Sequence, residues 1–505
     1  MKRYSLFILM IVLVSLCLSV FVVGNAAEAK KVVTYADGLP MTLTPGLMEG
    51  PGCLEISQIY DWLVRVKPDS VDLQPELALS WESSPDAKIW TVKLREGVKY
   101  HDGTEFNADD VIFTVERSQD PEIGHLMQTN LAIIERIEKL DDYTVRFYLK
   151  MPNAKFMLIF ADYNMAILSH TYDYAELGDL KPMGTGAFMV KEIVPTESLV
   201  VVKNPNYWMK GIPKYDEIQF VYIPDASTRC IMVESGEADI ARYISATEAI
   251  RVRQNPNLSL LTQKLCGQNV VGMRVDIPPF DDNRVRLALK YCIDNAKMAQ
   301  LLHSEELGVL VEGTESPITS LFPDYPSMPA RGRNIEKAKQ LLAEAGYPNG
   351  LDIDLYYSTN WPNTAEIAVT LKEMAEPAGI RINLNGFLRD IYLDKYWMNV
   401  EFGVTDWDTP IDPVILFRTT YITDAPWNET HLSNPAIDAL VDKISSEADP
   451  EKMKELCGEL QKIFYEEGSV IMVTGSKYFV TTKRVEGYIP AVTSLDDMRF
   501  IEIKD

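Results

Sequence analysis

The sequence predicts a mixed α/β protein in which parallel and antiparallel strands share sheets. Two observations lead to this class. Segments with the apolar–polar alternation of strands recur between amphipathic helical segments along the whole chain. The 505 residues are 47% hydrophobic and contain no internal repeat, which is typical of a globular chain of two or three domains.

The first half of the chain contains half-buried strands, indicated by alternating apolar and polar residues. They span residues 89–94, 144–149, 199–203 and 218–223. Asn107 has a side chain suited to cap a helix that begins at Ala108. Asp109 and Asp110 would then fall in the first turn, where the helix dipole favours acidic side chains.

The second half adds a β-α-β unit and further helices. A helix is predicted over residues 335–345, because Gly346 follows in the position of a left-handed cap and Pro348 comes soon after. The β-α-β unit and two later helices are predicted over residues 351–357, 364–378, 380–384, 435–446 and 450–467.

Residues 1–29 have the three parts of a secretory signal peptide. Two basic residues precede an apolar run over residues 6–23, and small residues ending in Ala27-Glu28-Ala29 follow. Cleavage is predicted before Lys30, with cleavage after Ala26 as the second choice. We therefore expect an exported, periplasmic protein.

A retained signal would instead anchor the protein to the outer face of the cytoplasmic membrane. The apolar run is close to the ~20 residues of a membrane-spanning helix, but the small residues that follow it have no purpose in an anchor. Cys17 is a poor site for a lipid anchor, because bulky Leu16 precedes it and it lies in the middle of the run.

Composition argues against several classes of partner and cofactor. The formal net charge of −24 repels phosphate backbones, so no nucleic-acid partner is expected. The five histidines form no close metal-ligand pair, and the cysteines beyond Cys17 form no C-x-x-C pair, so no metal site is expected. These cysteines are expected to be buried as small hydrophobic residues. One disulfide among them is the alternative, and the sequence does not indicate which cysteines would pair.

Motifs of catalysis are absent from the sequence. It contains neither a nucleophile elbow nor a P-loop, and we expect no catalytic residue and no cofactor. This pattern favours a binding protein over an enzyme. A glycosidase remains an alternative, because it needs only two carboxylates, which so acidic a sequence does not single out.

Residues 94–111, which read LREGVKYHDGTEFNADDV, closely resemble the signature of the family 5 extracellular solute-binding proteins. These are the oligopeptide-, dipeptide- and nickel-binding receptors of ABC importers. Further segments resemble the same family in the same order along the chain. They are residues 184–188, 203–208, 223–229, 235–240, 280–289, 293–294, 343–348 and 433–438.

The resemblance implies two α/β lobes joined by a two-stranded hinge, the periplasmic-binding-protein fold, with an additional domain inserted in lobe I. Lobe I is placed at residues 30–56, 186–263 and 475–505, the inserted domain at 57–185, and lobe II at 264–474.

The function implied by the resemblance is that of a receptor. It would be a monomer that captures a small solute by hinge closure and delivers it to ABC permease subunits in the membrane, with a peptide as the favoured solute. The alternatives are a secreted hydrolase of carbohydrate or peptide, and a ligand sensor that feeds a membrane signalling protein.

In peptide-binding relatives, an aspartate of lobe II receives the α-ammonium group of the ligand. The corresponding segment here is residues 404–413, in which Asp408 and Asp406 compete for the role because the spacing departs by about one residue. A buried amine needs an ionised partner, and Trp407 beside these acids offers a ring face. Alternatively, the acids only shape a turn.

Other candidates for the solute site are aromatic residues in loops and one arginine. Trp361, Tyr243, Trp427 and Tyr421 would line the pocket or else serve in packing. Arg274 replaces the asparagine that is usual in many relatives, and it could face an anionic group. His101, within the family signature, is interpreted as part of a structural turn.

Overall fold

A computed structural model describes most of the chain beyond the predicted signal peptide. The described residues are 31–38, 42–47, 53–67, 72–174, 181–294, 297–298, 307, 312–314, 317–318, 328, 331–361, 363–408, 412–447, 449–491 and 495–504. The prediction of a signal peptide over residues 1–29 lies outside them.

Strands of the described residues are numbered β1 to β19 in chain order. They are Val32–Asp37, Val64–Val66, Leu73–Pro75, Ala78–Ser83, Ile89–Leu94, Ile134–Asp141, Thr144–Leu149, Phe188–Val194, Ser198–Lys203, Glu217–Tyr222, Ile240–Ile244, Leu258–Met273, Glu312–Thr314, Leu351–Ser358, Ile380–Phe387, Phe402–Asp408, Val470–Thr482, Val485–Glu486 and Glu502–Ile503.

Helices of the described residues are numbered α1 to α12 in the same way. They are Cys53–Ile59, Ala108–Gln119, Gln128–Leu131, Ala226–Ser235, Ala246–Arg253, Asn283–Cys292, Ile335–Glu344, Thr364–Ala375, Arg389–Lys395, Pro413–Thr420, Pro435–Ser446 and Pro450–Glu467. The strands and helices that the sequence predicts all occur, with ends that differ by a few residues at most.

One long sheet joins the two lobes. Its order is β15-β14-β16-β12-β17-β11-β1-β10-β9-β8, and β13 pairs with β17 beside this path. Lobe I holds β1, which pairs in parallel with both β10 and β11. Lobe II holds β14, which pairs in parallel with both β15 and β16. The sheet is therefore mixed, as the sequence predicts.

The long antiparallel strands β12 and β17 carry the chain between the lobes. They pair over residues 258–263 and again over residues 267–272, with a shift in register between the two blocks. In the first block β17 also pairs with β11 of lobe I, and in the second β12 pairs with β16 of lobe II. These two strands form the hinge, so the prediction of a two-lobed fold is confirmed.

A separate antiparallel sheet, in the order β4-β5-β7-β6, lies in the additional domain. Helix α2 begins beside it with a capping box, in which Asn107 Oδ1 accepts from the Asp109 amide and Asp110 Oδ2 accepts from the Asn107 amide. Phe147, Phe156 and Phe160 pack into the core of this domain. The domain boundaries that the sequence suggests stay a prediction.

Each face of the lobe II sheet is covered by its own hydrophobic core. Leu355 and Ile382 pack with α8 on one face, and Val270 and Met472 pack with α12 on the other. Strands buried on both faces are typical of sheets covered by helices. No helix among the described residues is long and apolar enough to cross a membrane.

Cys230, Cys292 and Cys457 are buried free thiols. The prediction that the cysteines serve as small hydrophobic residues is confirmed for these three. The side chains of Cys53 and Cys266 lie outside the described residues, so the alternative of one disulfide stays a prediction.

Candidate functional site

The carboxyl ends of the parallel strands of both lobes meet at the hinge. In lobe I, β11 runs antiparallel to β17, and its last residue, Ile244, pairs with Tyr478. In lobe II, the last residue of β16, Asp408, pairs with Gly267, which in turn pairs with Gly475. Because ligands of α/β proteins bind outside the carboxyl ends of strands, this junction is the candidate solute cleft.

Asp406 lies at this junction and is held from both sides. Its Oδ2 is 3.5 Å from Nζ of Lys477 on the hinge strand, and its Oδ1 accepts a hydrogen bond of 3.2 Å from Asn269 Nδ2. The side chains of Asp406 and Lys477 are each only 8% exposed. The carboxylate therefore already has a cationic partner within the protein. For Asp408 the structure describes the strand pairing, and the side chain lies outside the described residues.

Tyr243 approaches the same lysine from lobe I. The centroid of its ring is 4.6 Å from Lys477 Nζ and 4.1 Å from the guanidinium carbon of Arg242. The backbone of Tyr243 has a φ of 54°, in the left-handed region that costs a tyrosine ~1–3 kcal/mol. A conformation of this kind is typical of ligand sites, and the tyrosine ring here lies against Arg242 and Lys477.

Buried Arg229 holds this strained turn in place. Its Nη2 donates to the Tyr243 carbonyl at 3.2 Å, and its Nε donates to the Arg242 carbonyl at 3.3 Å. The turn coincides with an irregularity in the pairing of β11 with β17, between Arg242 and Ile244. Bulges of this kind redirect side chains next to functional sites.

Trp407 and Trp427, both candidates from the sequence, lie together in lobe II with a third tryptophan. Ring centroids are 5.1 Å apart for Trp407 and Trp427, 5.9 Å for Trp397 and Trp407, and 6.4 Å for Trp397 and Trp427. We call these three residues the tryptophan cluster. Trp397 could not be singled out beforehand, because it belongs to none of the motifs.

Glu429 lies within the tryptophan cluster and was also missed from the sequence. It accepts hydrogen bonds from Thr405 Oγ1 at 2.7 Å, Trp397 Nε1 at 3.1 Å and Trp407 Nε1 at 3.3 Å. Burial raises the pKa of Glu429 to about 7, although these three hydrogen bonds act to lower it. The indole nitrogens of Trp397 and Trp407 are therefore engaged with a protein carboxyl group, while the ring faces of the partly exposed tryptophans offer apolar surface.

The remaining candidates are bound to other protein groups. Arg274 forms two hydrogen bonds with Asp276, at 3.0 and 2.7 Å, so its guanidinium already faces a carboxylate. Trp361 follows β14 at the carboxyl edge of lobe II, and the Arg389 guanidinium lies 4.9 Å from the centroid of its ring. Tyr421 is buried against Phe417 and Phe464, so the packing interpretation is confirmed for this residue.

His101 belongs to the scaffold. Its Nε2 lies 3.1 Å from the Gly186 carbonyl, and burial lowers its pKa to about 4. Within the described ranges of the chain, no group of three or more histidine, cysteine, aspartate or glutamate side chains is placed to hold a metal ion.

The additional domain touches lobe II directly. Lys155 Nζ is 3.0 Å from Asp412 Oδ2, and Asp412 also caps α10 through the Val414 amide at 2.7 Å. Ile415 of α10 is buried within the hydrophobic core that contains the residues of the additional domain. These contacts join the additional domain to lobe II by one ion pair and by apolar packing.

Two lobes, a strand hinge and a polar cleft between carboxyl edges define a solute receptor. Residues 72–428 match the family described as bacterial extracellular solute-binding proteins, family 5 Middle. The chain belongs to this family, whose members are binding proteins that take up small ligands and work with ABC permeases.

Individual relatives support the same assignment. The chain is 28% identical to a heme-binding protein A of Haemophilus influenzae over 90% of its length and 89% of the relative's. It is 33% identical to the glutathione-binding protein GsiB of Escherichia coli K12, over 61% of its length and 60% of that protein's. The ABC transporter-associated periplasmic binding protein DppA of Helicobacter pylori, solved with the peptide STSA, has the same fold. It gives a TM-score of 0.85 at 24% identity, covering 94% of this chain and 99% of that one.

Proposed function

We propose that this protein is the receptor of an ABC importer that captures a peptide or a similar small polar solute between its lobes. The observation that carries the proposal is the junction at the hinge, where Asp406, Lys477 and Tyr243 place charged and aromatic groups from both sides of the cleft. A solute enclosed there would be desolvated, and charged or aromatic protein groups would have to replace its water contacts.

Closure of the lobes supplies the mechanism. A solute shifts the balance toward the closed form only by making contacts there that the open form lacks. Lys155 and Asp412 join the two sides of the cleft directly, which supports a closed form that the permease would recognise. No chemical step is required of any residue.

The experiment is native mass spectrometry of the purified protein, first with the solute that it carries from the cell and then with a pool of di- to pentapeptides. We expect saturable binding of a subset of the pool and intact recovery of every bound peptide. Recovery of shortened peptides would favour the hydrolase instead. Saturable binding of other solutes, with none of the peptides, would remove the peptide preference alone.

Export and a monomeric state belong to the same proposal. Expression in a bacterial host should give a periplasmic protein whose intact mass is that of a chain beginning at Lys30, because residues 1–29 are removed on export. Light scattering of this protein should give the mass of one chain. A full-length mass in the membrane fraction would instead support a retained anchor.

A further inference from the structure

Arg242 presents a buried cationic group whose hydrogen-bonding capacity the protein does not use. The residue is 1% exposed, and Nε, Nη1 and Nη2 have no hydrogen-bond partner among the described residues. A guanidinium has five N–H donors, and leaving them unpaired in the interior is unfavourable. The pattern indicates that another polar group belongs beside Arg242.

The nearest carboxylate is Asp37, the last residue of β1. Asp37 Oδ1 is 3.5 Å from Arg242 Nε, an ion-pair distance, but this oxygen already accepts the Gly38 amide at 2.6 Å. The other oxygen, Oδ2, is buried and has no hydrogen-bond partner in the described part of the chain. A donor group and an acceptor group therefore lie side by side, each with unused capacity.

Their position is that of a solute site. Tyr35 and Ala36 pair with Ile240 and Ala241, so Asp37 and Arg242 are next in register on two adjacent parallel strands, Asp37 at the carboxyl end of β1 and Arg242 two residues before that of β11. The Arg242 guanidinium stacks on the Tyr243 ring, which also contacts Lys477 at the hinge. The pair is therefore continuous with the cleft.

The neighbouring residues limit what the pair can bind. Asp496 already accepts from the Tyr488 hydroxyl at 2.6 Å and the Ala491 amide at 2.7 Å. Glu55 lies close by, and burial together with the charge of Asp37 raises its pKa, which favours the neutral form. Arg242 and Asp37 thus remain as one basic and one acidic side chain with unused hydrogen-bonding capacity, and such a pair is best matched by a zwitterion.

We propose that Arg242 and Asp37 form a subsite of lobe I for an α-amino carboxylate, with the carboxylate on Arg242 and the ammonium group on Asp37. The separation of 3.5 Å between the two side chains requires that both charged groups of the solute be adjacent, as on one carbon atom. The charged ends of an ordinary peptide are farther apart. This inference rests on the proposed function, since it assigns part of the receptor's cleft to the solute.

Two isomeric dipeptides test the subsite on the mature protein. In γ-glutamyl-alanine the ammonium group and a carboxylate share one carbon atom, whereas in α-glutamyl-alanine they do not, although composition and charge are the same. Calorimetry should show at least tenfold tighter binding of the γ isomer, and conversion of its α-carboxylate to the amide should remove the advantage. Equal binding of the isomers, or preference for the α isomer, would overturn the inference.

Substitutions connect the preference to the residues. Arg242→Gln and Asp37→Asn should each bring the ratio of the two affinities close to one. Arg251→Gln removes an exposed arginine of lobe I that pairs with Glu234, and it should leave the ratio unchanged. Retention of the ratio in Arg242→Gln would contradict the assignment. If that variant does not fold, Asp37→Asn and the wild-type comparison with the amide decide the matter.

The same titration separates this inference from the proposed function. Saturable binding of other solutes, with no binding of either isomer, would refute the subsite and leave the receptor intact. Absence of binding across peptides, sugars and free amino acids would count against both.

Discussion

Glu429 is a carboxyl group in an environment that favours its protonated form. Burial raises its pKa from 4.5 to about 7, despite three hydrogen bonds that stabilise the anion. A group whose folded-state pKa is raised stabilises the fold fully below the unfolded pKa of 4.5. This contribution is lost as the pH rises through 7.

We therefore expect the stability of the wild type, relative to Glu429→Gln, to fall between pH 4.5 and pH 8. The size follows from the shift and is at most about 3 kcal/mol in the free energy of unfolding. Urea unfolding at several pH values measures it. Gln340→Ala, a neutral exchange on the exposed side of α7, serves as the control. If the free energies of unfolding of the wild type and Glu429→Gln differ by the same amount at every pH, the carboxyl group ionises normally.

The ion pair of Asp406 bears on the choice between Asp408 and Asp406 as the partner of an ammonium group. Because Asp406 is already paired with Lys477, an ammonium group of the solute would have to compete with the lysine. We expect Asp408→Asn to weaken the binding of peptides with a free amino terminus by about 2 kcal/mol or more. Asp406→Asn should weaken their binding less. Calorimetry with the same peptides acetylated at the amino terminus is the control. A larger effect at Asp406 would reverse the assignment.

The residues of the site show how far sequence alone can go. Trp407 could be named because it falls in a family segment and Trp427 because it is an aromatic residue in a loop, and the structure brings them together. Arg242 and Asp37 could not, because they are 205 residues apart and meet only through the parallel register of β1 and β11. Glu429 was missed for the same reason, since its three donors come from β16 and from the segment before that strand.

At the scale of elements, local chemistry determines where helices begin. The capping box of Asn107 with Asp110 joins two groups three residues apart, which is why the start of α2 could be predicted from the sequence. The long strands β12 and β17 were not predicted. Each crosses from one lobe to the other, and neither shows the alternation of buried and exposed residues by which a strand is recognised in the sequence, along the described part of its length.

Asn107→Ala should lower the free energy of unfolding by about 1 kcal/mol, because it removes the acceptor of the Asp109 amide. Thermal or urea unfolding measures the loss. The control is Asn257→Ala in an exposed turn of lobe I, which should change stability by less than about 0.5 kcal/mol. Equal losses in the two variants would mean that the cap contributes nothing specific.

At the scale of the whole molecule, the contact between Lys155 and Asp412 links the additional domain to lobe II. In the proposed mechanism this ion pair forms on closure, so it would strengthen the binding of every solute by the same factor. Lys155→Met should therefore lower the affinity for every solute about fivefold, the equivalent of about 1 kcal/mol, without changing the order of preference among solutes.

The measurement is calorimetry with several peptides on the wild type and the variant. Lys150→Met is the matched control, because Lys150 lies in the same domain and donates to the Ala132 carbonyl rather than to lobe II. A loss confined to one peptide would mean that Lys155 contacts that solute directly.

The course of β12 and β17 also makes the two lobes separable units of one chain. The strands leave lobe I and return to it side by side, since Gln263 pairs with Lys477 at the point of departure. A short turn between these two residues would convert the hinge into a β-hairpin and close lobe I on itself. The segment between Gln263 and Lys477 therefore corresponds, in topology, to an insertion at the tip of that hairpin. Insertions at such tips are well tolerated, so lobe II could be replaced during evolution while the rest of the receptor was kept.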